Sequence, residues 1–344
     1  MRTGLITGKG RFELLEVADP VVTPGAALVE IDLCGICGSD VHAYQSGGPY
    51  PPAVCGHEWT GVVSAVASDV THVAEGDRVV GGAAPPCGRC GSCERGDASR
   101  CSRALRGLMG SDGFSPASGG FAATQAVHAR RLARVPAQLS TEQAAMTEPT
   151  MVAAHAVRRS RIRLGDVVTV IGAGPIGLLA LQCARAAGAG RAFVVEPDPA
   201  RGALARELGA DQVFAPGHEA QEALDDLTRG TGPDVVFDCA GVAATVNAAA
   251  RLVRRGGNVC LVGVAIDKAE INAAMWVLKE ITIDTSAAYG YEDLEITLGL
   301  IADGRVQVAP LHHATVSLDE LGATFDELAS GPSEKVKVLV DPRR

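Results

Sequence analysis

The chain opens with short apolar runs of β-like pattern at 27–33, 61–67 and 77–80, separated by Gly and Pro. Brief Val- and Ile-rich runs between such breakers predict strands, so residues 1 to about 150 read as a β-rich, partly barrel-like domain. From about residue 160 the pattern changes. A buried-strand run at 167–171 leads into a helical stretch at 176–187, a strand at 192–195 and a helix at 201–208; runs at 235–238 and 259–262 continue the strand series. Strands alternating with helices predict βαβ units and a doubly wound parallel sheet. The alternation fades after about residue 285. The run 336–340 is strand-like, has no evident βαβ partner, and is expected to return to the first domain. The expected organisation is therefore α/β overall, with a β-rich domain over 1–150 and 288–344 and a parallel-sheet domain over 151–287.

A length of 344 residues suits two cores better than one. The formal net charge of −9 argues against nucleic acid or an anionic membrane as the main partner. The N-terminus carries no apolar run of the secretory kind, and the longest apolar stretch, 167–181, is broken by Gly172, Gly174, Pro175 and Gly177. A cytoplasmic location without a membrane span is expected. Ten cysteines in a reducing compartment point to metal ligands or buried thiols before disulfides.

Four of them are closely spaced: Cys87, Cys90, Cys93 and Cys101, with Gly88, Gly91 and Gly96 between. Thiolates at this spacing wrap one tetrahedral zinc, and four of them fill its shell, so a closed structural site is expected. Iron in the same thiolate cage is the rival, because the geometry suits both metals.

Cys37, His57 and Glu148 are joined by no spacing rule, yet each has a suggestive setting. Cys37 lies in CGICGSDVHAY, His57 with Glu58 in CGHEWTG, and Glu148 in TEPT. A Cys, a His and a carboxylate make an open zinc site with a position for water or substrate. The bland alternative is a core thiol and a satisfied His–Glu pair.

Gly172-Ala-Gly174-Pro-Ile-Gly177 follows an apolar strand and opens a helix, and the acidic Glu196 ends the next strand. That context predicts a dinucleotide site. The glycines permit the turn and the approach of a pyrophosphate, the helix N-terminus supplies N–H groups, and Glu196 would bind ribose hydroxyls and repel a 2′-phosphate. Arg201 can lie against the adenine. The alternative is a glycine turn with no nucleotide.

Taken together, GICGSD (35–40), GHEWTG (56–61), EGDRV (75–79), the four-cysteine lobe, EP (148–149), HAVRR (155–159) and GAGPIG (172–177) occur in the order of the medium-chain dehydrogenase/reductase family. The chain resembles its zinc-containing polyol, threonine and butanediol dehydrogenases nearly end to end. The resemblance implies a GroES-like catalytic domain, a Rossmann cofactor domain and a cleft between them. It implies a catalytic zinc, a structural zinc and NAD, and a small secondary alcohol or polyol as substrate. Cys37, His57 and Glu148 are similar to the catalytic zinc ligands, and Glu58 either coordinates or sits behind them. Ser39 is similar to the hydroxyl that takes the substrate's proton, which leaves through the nicotinamide ribose hydroxyl and His42. Ile176, Glu196, Arg201 and the turn Val262-Gly263-Val264 are similar to cofactor contacts.

The chain also departs from its relatives. Ala43 stands where sorbitol-type members have a tyrosine, and Ala288-Tyr289 where they have Arg-Tyr, so two polar side chains for a long polyol are lost and a smaller or less hydroxylated alcohol fits equally well. Two other readings remain at this level: a zinc-dependent ketone or aldehyde reductase, and a catalytically degenerate cofactor-binding relative. The family assembles as dimers and tetramers through the Rossmann domain, so a homo-oligomer is expected.

Overall fold

In the computed structural model of the chain, which describes residues 1–110, 118–331 and 334–344, the early apolar runs are strands. β1 (Arg2–Gly8) and β2 (Arg11–Glu16) form an antiparallel hairpin. β3 (Ala26–Gly35), β4 (Glu58–Val66), β5 (Arg78–Gly81), β6 (Thr124–His128) and β7 (Leu132–Arg134) pair antiparallel, with β3 between β4 and β6. Along β3 the period of two is clear: Val29, Ile31 and Leu33 are buried, whereas Glu30 is exposed and Asp32 half-buried.

Next comes a parallel series: β8 (Val167–Ile171), β9 (Arg191–Val195), β10 (Gln212–Phe214), β11 (Val235–Asp238), β12 (Asn258–Leu261) and β13 (Thr282–Thr285). Their order is β10-β9-β8-β11-β12-β13, and every pairing is parallel. The direction of winding reverses between β8 and β11. In such sheets that switch point is where ligands sit, outside the carboxyl ends of the strands. Helix Pro175–Ala186 follows β8 and buries Leu178, Leu179 and Leu181.

The last two strands correct one expectation. β14 (His312–Ser317) runs parallel to β15 (Lys337–Asp341), with helix Leu321–Ala329 between them in sequence, so the terminal strand does have a βαβ partner. β14 reads His-His-Ala-Thr-Val-Ser and none of it is fully buried, which is why no apolar run marks it. β15 pairs antiparallel with β3, giving the order β14-β15-β3-β4-β5-β7.

The chain divides into two units. The first contains Met1–Glu148, Gly290–Ala302 and Leu311–Arg344; the second contains Pro149–Tyr289 and Asp303–Pro310. In the first, an aromatic cluster fixes helix Gly38–Ser46, which carries several candidate site residues. Tyr44 on that helix stacks on the fully buried Phe325, ring centroids 5.3 Å apart, and Phe121 meets Phe325 edge-on at 6.2 Å. The Tyr44 hydroxyl donates to Asp326 at 2.5 Å. Among the described residues no helix is long and apolar enough to cross a membrane.

Candidate metal centres and cofactor turn

Cys37, His57 and Glu58 come together, their ligand atoms within 4.8 Å of one another. Each reaches the site from a strand or helix end. Cys37 caps helix Gly38–Ser46, His57 immediately precedes β4, and Glu58 is its first residue. Glu58 lies opposite Gly35, the last residue of β3. A Cβ on Gly35 would stand 2.1 Å from Glu58 Oε2, so only glycine leaves the carboxylate its place. His57 Nδ1 is 2.9 Å from the Val54 carbonyl, which can only accept. Nδ1 therefore holds the proton, and Nε2 keeps the lone pair a metal needs.

Glu148 is buried at the start of helix Thr147–Arg159. It does not join the 4.8 Å group, although its charge acts on both His57 and Lys337. Ser39 and His42 are exposed and three positions apart on helix Gly38–Ser46, hence on one face.

Three groups that the sequence pattern did not single out organise this cluster. Lys337, the first residue of β15, donates to Glu58 Oε2 at 2.6 Å and to the Ile36 carbonyl at 3.0 Å. Both charged side chains are buried, 3% and 2% exposed. Burial works against the Lys337 ammonium, but the nearby Glu58 and Cys37 side chains outweigh it and hold its pKa above the usual value. Asp40, fully buried, accepts from the Cys37 N–H at 2.9 Å and the Gly56 N–H at 3.4 Å, and lies 3.9 Å from His57 Nδ1. Burial pushes its carboxyl upward, opposed by His57, the Cys37 N–H and the Tyr50 hydroxyl. Tyr50 donates to Asp40 at 2.8 Å; burial and that carboxylate hold its hydroxyl far above the usual range, so it is a neutral donor.

The four-cysteine lobe also assembles. Cys87, Cys90, Cys93 and Cys101 lie within 4.8 Å of one another, with Cys90 Sγ 3.5 Å from Cys93 Sγ and 3.9 Å from Cys101 Sγ. These are not disulfide distances. Backbone N–H groups of Cys93 and Ser102 pull the Cys90 thiol down. Burial raises Cys101, but the N–H groups of Ala104, Cys87 and Arg103 outweigh it.

In the second unit Gly172 has φ +91°, a left-handed conformation that favours glycine. A Cβ on Gly177 would sit 1.8 Å from the Gly172 carbonyl oxygen, whereas one on Gly174 would meet nothing within 4 Å. The turn is thus closed on its protein side and open at Gly174, the N-cap of helix Pro175–Ala186. Ile176 is half-buried in the first turn of that helix. Glu196 takes the Ala173 N–H on Oε2 at 2.6 Å and the Asp198 N–H on Oε1 at 2.9 Å, which locks its carboxylate beside the turn. Arg201 is half-buried, and its N–H helps cap the next helix on Asp198. At the end of β12 the Val262 and Gly263 N–H groups donate to the Asp238 carbonyl at 2.9 and 2.8 Å, leaving Val264 71% exposed.

Residues 23–137 match the alcohol dehydrogenase GroES-like domain, and residues 175–303 match the zinc-binding dehydrogenase family. The chain is 34% identical to L-idonate 5-dehydrogenase of Vitis vinifera, over 93% of this chain and 89% of that protein. The solved 2R,3R-butanediol dehydrogenase from Bacillus subtilis matches with TM-score 0.86 and 30% identity, covering 99% of both chains. A provisionally assigned zinc-binding dehydrogenase from Sinorhizobium meliloti 1021, bound to NADP, matches with TM-score 0.84 and 30% identity over 99% of both chains. The chain belongs to the zinc-containing medium-chain alcohol and polyol dehydrogenase family.

As a zinc-dependent dehydrogenase of this family it uses zinc and a nicotinamide cofactor, and its own residues fit both. Metal–sulfur bonds of about 2.3 Å in a tetrahedron give sulfur–sulfur edges of about 3.8 Å, and the observed separations of 3.5 and 3.9 Å bracket that value. At the other centre burial disfavours charge on His57, yet Cys37, Asp40 and Glu148 overcome it and raise its pKa well above the usual value. The donor set favours a cation in its midst. The open Gly174 and the half-buried N-terminal turn suit a phosphate.

Of the three groups missed, Lys337 carried one legible signal: a lysine inside an apolar strand-like run needs a partner. Asp40 stood inside GICGSD without distinction, and Tyr50 in a Pro- and Gly-rich loop. Replacing Lys337 by Met leaves the Glu58 carboxylate buried without its cation, which typically costs about 3–5 kcal/mol. Urea unfolding at saturating zinc is expected to show most of that loss, and the Lys337→Met/Glu58→Gln double variant a smaller one. A silent Lys337→Met would mean that the pair does not anchor these strands.

Proposed function

We propose that this dehydrogenase oxidises a small secondary alcohol or polyol, with Cys37, His57 and Glu58 holding the catalytic zinc and Cys87, Cys90, Cys93 and Cys101 the structural one. The observation that carries this reading is the convergence of Cys37, His57 and Glu58, from two separate stretches of chain, on one point beside the Ser39 helix. Bound zinc would act as a Lewis acid that lowers the alcohol's pKa, and bound nicotinamide would accept the hydride. Ser39, two residues after Cys37, takes the alcohol's proton, and His42, one helical turn on and exposed, passes it to solvent. Glu148 contributes negative charge behind the ligands. The butanediol and idonate relatives support a vicinal diol or related polyol. Ala43 is buried and offers no hydroxyl, which favours the smaller substrates.

Zinc content measured beside turnover on a panel of small diols and polyols tests these roles. Cys37→Ala is expected to keep one zinc per chain and lose nearly all activity. Ser39→Ala is expected to keep two zincs and lose about 10²–10⁴-fold in turnover. A Cys37→Ala protein with two zincs would remove the ligand assignment.

For the cofactor, we propose NAD over NADP, because Glu196 is held as a carboxylate acceptor beside the turn, where a 2′-phosphate would meet its charge. Steady-state efficiencies with the two cofactors decide this, and equal efficiency with NADP would sink it.

The ten cysteines, none of them paired in a disulfide, support a cytoplasmic setting. A homo-oligomer is supported by the edge of the parallel sheet. β13 is the terminal strand, and Ile271, Val277 and Leu278 nearby are 53%, 73% and 75% exposed. An unpaired edge beside apolar side chains suits a second copy, since a two-fold axis pairs the strand with itself. Light scattering is expected to give a dimer or tetramer, and a smaller species for Val277→Asp/Leu278→Asp. A monomeric parent protein would contradict it.

A further inference from the structure

We propose that Tyr50 is a positioning residue for the Ser39 hydroxyl, an inference that rests on the reading of Ser39 as the proton acceptor. Tyr50 is half-buried in the stretch between helix Gly38–Ser46 and β4. Its hydroxyl oxygen lies 2.8 Å from Asp40 Oδ1 and 3.3 Å from Ser39 Oγ.

A phenol has one proton to donate. Asp40 is the stronger claimant. Its Oδ2 accepts from the Cys37 N–H, its Oδ1 from the Gly56 N–H, and its carboxylate faces His57. Hydrogen bonds to a carboxylate are shorter and stronger than those between neutral groups, and the two distances rank accordingly. With its proton committed to Asp40, the phenol oxygen can only accept from Ser39. The hydrogen-bond chain therefore has one direction: Ser39 Oγ–H to Tyr50, and Tyr50 O–H to Asp40.

That direction matters for the reaction. A serine that takes a proton from an alcohol must present a lone pair, not its own hydrogen. Ser39 is exposed, and a free hydroxyl rotates among three staggered wells, of which only some are productive. Tyr50 holds that hydrogen away from the incoming alcohol in the resting site; as Oγ takes the alcohol's proton, this hydrogen leaves Oγ toward His42, so that Ser39 ends neutral. Asp40, buried beneath the helix and tied to the Cys37 backbone, keeps the phenol in register with the helix that bears Ser39.

The rival account makes Tyr50 a prop for Asp40 and, through it, for His57 and the metal. Tyr50→Phe, made alone and in a Ser39→Ala background, separates the two. The readouts are kcat and KM, zinc content, and the visible spectrum of the cobalt-substituted protein. Tyr50→Phe is expected to lower kcat about 3- to 10-fold with little change in KM, to keep two metals per chain and the parent cobalt spectrum, and to cost nothing further once Ser39 is alanine. Parent-like turnover in Tyr50→Phe, an equal loss in both backgrounds, or an altered metal content or spectrum would each overturn the proposal. Parent-like turnover in Ser39→Ala would instead overturn the reading of Ser39, and this proposal with it.

Discussion

A carboxylate inside a sheet is expensive unless a cation meets it. Glu58 sits at the start of β4, 1% exposed, and the structure around it follows from satisfying that charge. Lys337 answers it from β15, across the end of β3, where the last strand of the chain docks antiparallel. Gly35 answers it sterically, because any side chain at that position would occupy the carboxylate's space. The same anion stands with Cys37 and His57, so the ion pair that joins three strands also sets one wall of the proposed metal centre.

Asp40 organises the opposite side in a different way. Among the described residues no cationic side chain stands against it except His57, and backbone N–H groups and the Tyr50 hydroxyl supply the donors. It fixes the first turn of helix Gly38–Ser46, and with it Cys37 and Ser39, relative to His57 just before β4. The aromatic contacts of Tyr44 with Phe325 hold the other face of that helix. The proposed ligand and proton acceptor are thus carried on one short element that is restrained from two sides. Preorganisation of this kind holds reactive groups close to working geometry before substrate arrives.

The second unit relies on backbone geometry more than on side-chain charge. Its glycine turn closes on itself through Gly172 and Gly177, leaves Gly174 open, and is buttressed by Glu196, whose two oxygens each take a backbone N–H. Asp238 plays a related part at the end of β11, where its carbonyl takes two N–H groups from the β12 turn and its carboxylate takes the Thr245 hydroxyl at 2.8 Å. Both acidic residues lie at the carboxyl ends of strands beside the switch point, where ligands sit in sheets of this kind.

The sequence by itself determined what depends on local pattern. The strand–helix alternation from 167 onward, the glycine turn with Glu196, and the four-cysteine spacing are all written within a few dozen residues, because one strand, one turn or one metal loop needs only its neighbours. The order of motifs along the chain carried the family. What spacing cannot encode was left to the tertiary structure. Lys337 and Glu58 are 279 residues apart, and only the pairing of β15 and β4 with β3 brings them together. β14 is half-buried and polar, so its strand came from pairing rather than from pattern. The choice of Glu58 over Glu148 within the tight cluster, and the direction of the Ser39–Tyr50–Asp40 chain, were decided by distances between side chains that no periodicity records, since hydrogen bonds and ion pairs depend on position in space and not on separation along the chain.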